Sequence, residues 1–140
     1  MMGLKVKHRP NGAIASVGRA GRPVVSSATG GRIDIVTGAS EPGYNPVDLL
    51  YASLASCLAL SARIAASRLS LLDRFVGVVV SVSGEKTEEE PMRVVRMSVH
   101  IAVEGNLTEA ERAGIVHMAE EICTVSNTLK TSPSMMLSFD

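Results

Sequence analysis

The chain has no tryptophan, and only two tyrosines and two phenylalanines among its 140 residues. So little aromatic surface leaves almost nothing for bases to stack on, the usual platform for single-stranded nucleic acid. No charge of one sign dominates either: Lys plus Arg number 14, and so do Asp plus Glu. That balance argues against nucleic acid or an anionic membrane as the main partner. The N-terminus carries no apolar signal-peptide core, so a cytoplasmic location is expected. Cysteine is scarce, with only Cys57 and Cys123. In a reducing compartment a permanent structural staple is not expected of such a pair. The composition leaves open whether they are two unrelated buried thiols or a pair that reacts.

Several common motifs are missing as well. There is no glycine-rich phosphate loop ending in Lys-Ser/Thr, and Gly18-Arg19-Ala20-Gly21 lacks the spacing of a dinucleotide turn. No Gly-x-Ser-x-Gly elbow occurs. His8, His100 and His117 lie far apart, without paired helical spacing, so neither a metal nor a cofactor is implied and the three read as surface residues. What is present is globular: 46% hydrophobic and 20% charged, enough for one domain covering residues 1–140.

The chain is organised around one stretch, Asn45 to Arg68. Asn45 is a good helix cap, Pro46 suits the first helical position, and Asp48 can reach back to the cap at the positive end of the dipole. From Leu49 to Ala66 the only charge is Arg63. A helix apolar nearly all round must be buried, and Arg63 and Arg68 interrupt it too early for a membrane span. Before it, β-branched runs between glycines predict three or four short strands. After it, Phe75–Gly84 and Met92–Glu104 alternate, with Val76, Val78, Val80 and Val82, and then Val95, Met97, Val99, Ile101 and Val103, facing inward. The two predict an antiparallel hairpin with one covered face, joined through the acidic turn Glu88-Glu89-Glu90. Thr108 with Glu111 is a capping box that opens a helix with the stripe Ile115, Met118, Ala119 and Ile122. A short helix over Thr124–Lys130 and a last strand over Met135–Phe139 complete an α+β order.

Chemistry then rests on the thiols. Cys57 sits about three turns into its helix, too deep for the dipole to lower its pKa much. Ser53 and Ser61, four residues to either side, offer hydroxyls to a thiolate. An apolar surround alone would keep the thiol neutral, so reactivity needs a cation, for which Arg19, Arg22 and Arg32 are the candidates.

At this point three stretches make the sequence resemble the OsmC/Ohr family of osmotically inducible and organic-hydroperoxide-resistance proteins. Asn45-Pro46 through Ala55-Ser56-Cys57 resembles the family's first-cysteine helix. Cys123-Thr124-Val125-Ser126-Asn127-Thr128-Leu129 resembles its second-cysteine motif. Gly18-Arg19-Ala20-Gly21 with Val24-Val25-Ser26-Ser27 resembles the segment that supplies its arginine. The resemblance implies an OsmC-like α+β fold, with antiparallel sheets around a long buried helix in an intertwined homodimer. It also implies thiol-dependent reduction of organic hydroperoxides or hydrogen peroxide in oxidative stress defence. In that chemistry Cys57 resembles the peroxidatic cysteine, Cys123 the resolving cysteine and Arg19 the thiolate-stabilising arginine, and an external thiol or dithiol resets the disulfide. One departure is visible. Family peroxidases usually carry Glu directly after Asn-Pro to hold the arginine, and here that position is Val47, as in a Glu-less OsmC-like branch. Glu41 is the expected substitute. The alternative reading is a non-catalytic dimer of the same fold that binds a small lipophilic ligand, with Tyr51, Leu54, Leu58 and Leu60 as its lining, or that senses oxidant. A third reading makes both cysteines core filler.

Overall fold

The structure is a computed structural model and describes residues 8–140. It divides into two compact units, one ending at Leu49 and the other covering Leu50–Asp140. The first unit contains three strands, β1 (Ala13–Ser16), β2 (Val24–Ser27) and β3 (Arg32–Asp34), joined as an antiparallel meander in the order β1-β2-β3. Ile14 lies opposite Ser26, and Val25 opposite Ile33. The chain then loops back so that Val36 N–H reaches the Tyr44 carbonyl, 3.1 Å away.

The long helix α1 spans Pro46–Arg68, as the sequence predicts. Its cap is reciprocal: Asn45 Oδ1 accepts the Asp48 N–H at 2.7 Å, and Asp48 Oδ2 accepts the Asn45 N–H at 3.0 Å. Asp48 is thereby accounted for as a capping residue. By length and composition α1 is able to cross a membrane, yet Ala62, Ala65 and Ala66 are completely buried against protein. Burial is one-sided, however. Leu60 and Ile64 remain exposed, so the expectation of a helix buried all round is corrected to a buried stripe of Leu54, Leu58, Ser61, Ala62, Ala65 and Ala66.

In the second unit a 3₁₀ turn, Leu72–Arg74, leads into β4 (Phe75–Lys86), which pairs antiparallel with β5 (Val94–Gly105). Val78, Val80 and Val82 take the covered face as expected. Val76 does not, because the register slips between Phe75 and Gly77 and the bulge turns it outward. On β5 the inward positions are Met97, Ile101 and Val103, while Val95 and Val99 are exposed and form the wall of a groove. Helix α2 (Glu109–Ile122) starts on the Thr108–Glu111 capping box and buries Ile115 and Ala119. Arg74 clamps the Glu111 carboxylate with both guanidinium nitrogens and holds it down at about 2. Arg112, one residue on, donates to the carbonyls of Val103, Gly105 and Leu107, tying α2 to the end of β5.

Cys123 ends α2 and begins α3 (Thr124–Lys130). No strand forms over Met135–Phe139, contrary to its alternating pattern. Among the described residues no strand pairs with the segment, and Met135, Met136, Leu137 and Phe139 stand at least 92% exposed.

Candidate functional site

The site is assembled from the middle of α1 and the junction of α2 with α3. Cys57 is half-buried, Cys123 completely so, and both are free thiols. They belong to one apolar cluster built on Leu54 and Leu58 of α1, with Val80 and Val82 of β4, Met97 and Ile101 of β5, and Val125. The two cysteines, far apart in sequence, come into one cluster because α1 and the start of α3 pack against the same face of the hairpin.

Burial pushes the Cys57 thiol up, as it does any group whose charged form loses water. Hydrogen bonding with the Cys123 side chain, the Val125 backbone, the Ser61 side chain and the Thr124 backbone more than offsets it. The net direction is downward from the usual thiol value. Cys123 moves the other way. Its burial raises it first, and the hydrogen bond it gives to Cys57 and the charge there raise it further. The Ser126 N–H, 3.4 Å from its sulfur, opposes this only in part. The two thiols are thus pushed in opposite directions from their usual value.

Sequence symmetry offered Ser53 and Ser61 equally. The structure separates them: Ser53 Oγ donates to the Leu50 carbonyl at 2.8 Å, whereas Ser61 is buried one helical turn after Cys57. The signal that distinguishes them was available, since side chains on a helix lean toward its N-terminus. Ser61 therefore leans over Cys57, and Ser53 leans away from it.

Arg19 lies exposed in the bend between β1 and β2. Glu41 does not hold it. The loop from Gly38 to Gly43 folds so that Glu41 accepts the Gly38 N–H at 3.3 Å and pairs with Arg22, correcting the expected Glu41–Arg19 partnership. A groove of about 400 Å³ runs between β5 and α3 past Leu54, Met97, Val99, Ser126 and Leu129. A second hollow of about 270 Å³ reaches Leu54, Leu58, Ile101 and Val116. Neither cysteine lines either hollow, but both hollows share Leu54 with the cluster that holds the thiols. The Lys130–Glu120 ion pair stands beside the groove. Tyr51 and Leu60, expected as lining, are absent from both hollows.

The family model described as OsmC-like protein matches residues 38–138, across α1 and both cysteines. The chain belongs to the OsmC-like family. Its fold is that of solved OsmC-like structures. An organic hydroperoxide resistance protein from Elizabethkingia anophelis, solved with thiocyanate bound, superposes with a TM-score of 0.74 at 18% identity, over 92% of this chain and 93% of that one. An organic hydroperoxide resistance protein OsmC from Legionella pneumophila gives 0.72 at 22% identity, over 90% and 92%. An OsmC like protein from Mycoplasma pneumoniae gives 0.75 at 15% identity, over 90% and 91%. No curated protein matches the chain by sequence. At these identities the OsmC-like likeness is one of fold, and the chemistry has to be argued from the cysteines themselves.

Proposed function

We propose that this OsmC-like protein is a cysteine peroxidase that reduces small organic hydroperoxides or hydrogen peroxide in defence against oxidative stress. The observation that carries the reading is the pair of free thiols packed in one apolar cluster, Cys57 lowered and Cys123 raised from the usual thiol value. The Cys57 thiolate attacks one peroxide oxygen and breaks the O–O bond. It becomes a sulfenic acid, and the other oxygen leaves as an alkoxide that takes up a proton to give the alcohol. Cys123 then attacks the Cys57 sulfur. A disulfide forms, and the hydroxyl of the sulfenic acid leaves with the Cys123 proton as water. An external thiol or dithiol returns both cysteines to the reduced state. Arg19, on the strength of the Gly18–Gly21 resemblance, supplies the guanidinium that favours the thiolate and the departing alkoxide.

The second hollow, lined by Leu54, Leu58, Val99, Ile101 and Val116 among others, has the size for a small hydroperoxide with a hydrocarbon body. A homodimer accounts for the apolar surface left on α1 and β4, where the exposed Leu60 and Val76 line an open hollow of about 520 Å³. The cytoplasm, where thiol reductants are abundant, is the fitting compartment. The runner-up, a ligand-binding dimer without turnover, requires an inert thiol, and the downward direction at Cys57 favours the peroxidase.

Cys123→Ser tests the division of labour. With cumene hydroperoxide in excess and a dithiol present, wild-type protein is expected to turn over with Cys57 intact. The variant is expected to yield a dimedone-trappable sulfenic acid at Cys57, which proceeds to sulfinic acid when no trap is added. Absence of turnover in the wild type, or equal over-oxidation of both proteins, would overturn the reading.

A further inference from the structure

We propose that Ser126 is the polar anchor of a small-ligand site. Its hydroxyl, buried and unpaired where the two hollows beside β5 meet the start of α3, hydrogen-bonds the oxygen of a small neutral hydrocarbon that carries a hydroxyl head, a hydroperoxide or the alcohol it becomes. The choice of ligand rests on the peroxidase reading; the site itself does not.

Among the described residues two polar side chains are buried, Ser61 and Ser126. Ser126 is 8% exposed, and it lines both the groove of about 400 Å³ and the hollow of about 270 Å³. A buried hydroxyl costs stability unless it is hydrogen-bonded, and on a helix the ordinary solution is a bond backward to a carbonyl. Ser53 donates to Leu50 and Ser56 to Ala52, each at 2.8 Å, and Thr128 of α3 donates to Thr124 at 2.7 Å. Ser126 does not follow them. Its N–H meets the Cys123 sulfur at 3.4 Å, and its hydroxyl has no partner among the described residues. The break between the helices is the cause: Cys123 has an extended backbone, φ −71° and ψ 108°, so the carbonyl four residues before Ser126 belongs to α2. Nor is the hydroxyl sealed in the core, since no fully enclosed side-chain oxygen is left unpaired. It opens on the hollows.

The surroundings select the ligand. Leu54, Leu58, Ile101 and Val116 make the smaller hollow largely hydrocarbon, the usual design of a site in which a few placed polar groups fix orientation. The charges along the two hollows are already matched, Lys130 by Glu120 and Arg96 by Glu85, and His100, the remaining titratable residue there, is exposed. An ionic head therefore finds no unpaired lysine, arginine or carboxylate among the described residues. A serine hydroxyl both donates and accepts, which suits an O–H head. The smaller hollow lies just under the range of about 300–1,000 Å³ common for small-molecule pockets, so the hydrocarbon body must be short. Because Ser126 stands one turn from Cys123, a ligand anchored there has its oxygen end next to the thiol cluster.

The test uses reduced protein and two unreactive probes of one shape, cumyl alcohol and tert-butylbenzene, which differ by a hydroxyl against a methyl. Affinities are read from NMR titrations of the Leu54 and Leu58 methyl signals. Loss of one neutral hydrogen bond corresponds to a roughly threefold to tenfold change in affinity. Ser126→Ala is expected to weaken cumyl alcohol by that factor and to leave tert-butylbenzene unchanged. Its melting temperature is expected to equal or exceed that of wild type, because the hydroxyl it removes is buried without a partner in the unliganded protein. A serine that served the fold would lower it on replacement. Three results would overturn the proposal: neither probe moving those methyl signals in wild type, both probes responding equally to Ser126→Ala, or a melting temperature several degrees lower in the variant. Loss of the preference for alcohol in Ser126→Ala, in a protein whose wild type consumes no hydroperoxide, would uphold the site and end the peroxidase reading instead.

Discussion

Cys57→Ser is expected to reduce hydroperoxide consumption to the uncatalysed background while leaving the fold in place. The substitution exchanges one atom for a smaller one at a half-buried position, so the cluster around Leu54 and Leu58 keeps its packing. What is lost is ionisation. A serine hydroxyl in the same seat stays protonated at neutral pH, and among the described residues the cluster around it is apolar and holds no carboxylate or imidazole to take the proton. Cys123 is the weaker nucleophile for the role, because burial raises its thiol and hydrogen bonding with Cys57 raises it further. Circular dichroism and thermal melting close to wild type, with peroxide consumption gone, is the expected pair of results. Undiminished consumption in this variant would mean that the chemistry resides elsewhere.

The second large effect is on stability. Gly105→Ala is expected to lower the melting temperature by roughly 10 °C or more, on the basis of at least about 3 kcal/mol of strain. Gly105 ends β5 with φ +148°, a conformation that residues with a side chain rarely adopt, and an added Cβ would lie 2.1 Å from the Arg74 carbonyl oxygen. That oxygen is fixed, since it also accepts the Asn106 N–H at 3.1 Å. Nor can Gly105 shift freely, because its own carbonyl accepts from Arg112 at 2.8 Å. The corner where β4 starts, β5 ends and α2 begins is therefore closed by backbone rather than by adjustable side chains. A melting curve that superposes on wild type would show the corner to be far softer than its contacts imply.

How much of this was legible in the sequence depended on whether the determining partner was local. The Asn45–Asp48 and Thr108–Glu111 caps were legible because each is complete within four residues, and α1, α2 and α3 follow from them and from Cys123. The hairpin was legible as alternation, but the outward turn of Val76 was not, since the bulge arises from how Phe75 and Gly77 pair with Gly105 and Glu104. Met135–Phe139 alternates like a strand, yet alternation records a preference for a partner and does not supply one. Glu41 lies near both Arg19 and Arg22 in the chain, and only the fold of its loop gives it to Arg22. At the site itself, both cysteines were visible in the sequence, and the opposite directions of their thiols were not. Those directions depend on burial and on hydrogen bonding with the start of α3, a long-range consequence of packing.

The measurement that bears most directly on the central claim is disulfide mapping after a single oxidation. Fully reduced protein is mixed with one equivalent of cumene hydroperoxide, blocked with an alkylating reagent, digested and analysed by mass spectrometry. The expected result is a Cys57–Cys123 cross-linked peptide formed within seconds, with neither cysteine alkylated. Recovery of both cysteines in alkylated form, with the hydroperoxide unconsumed, would contradict it.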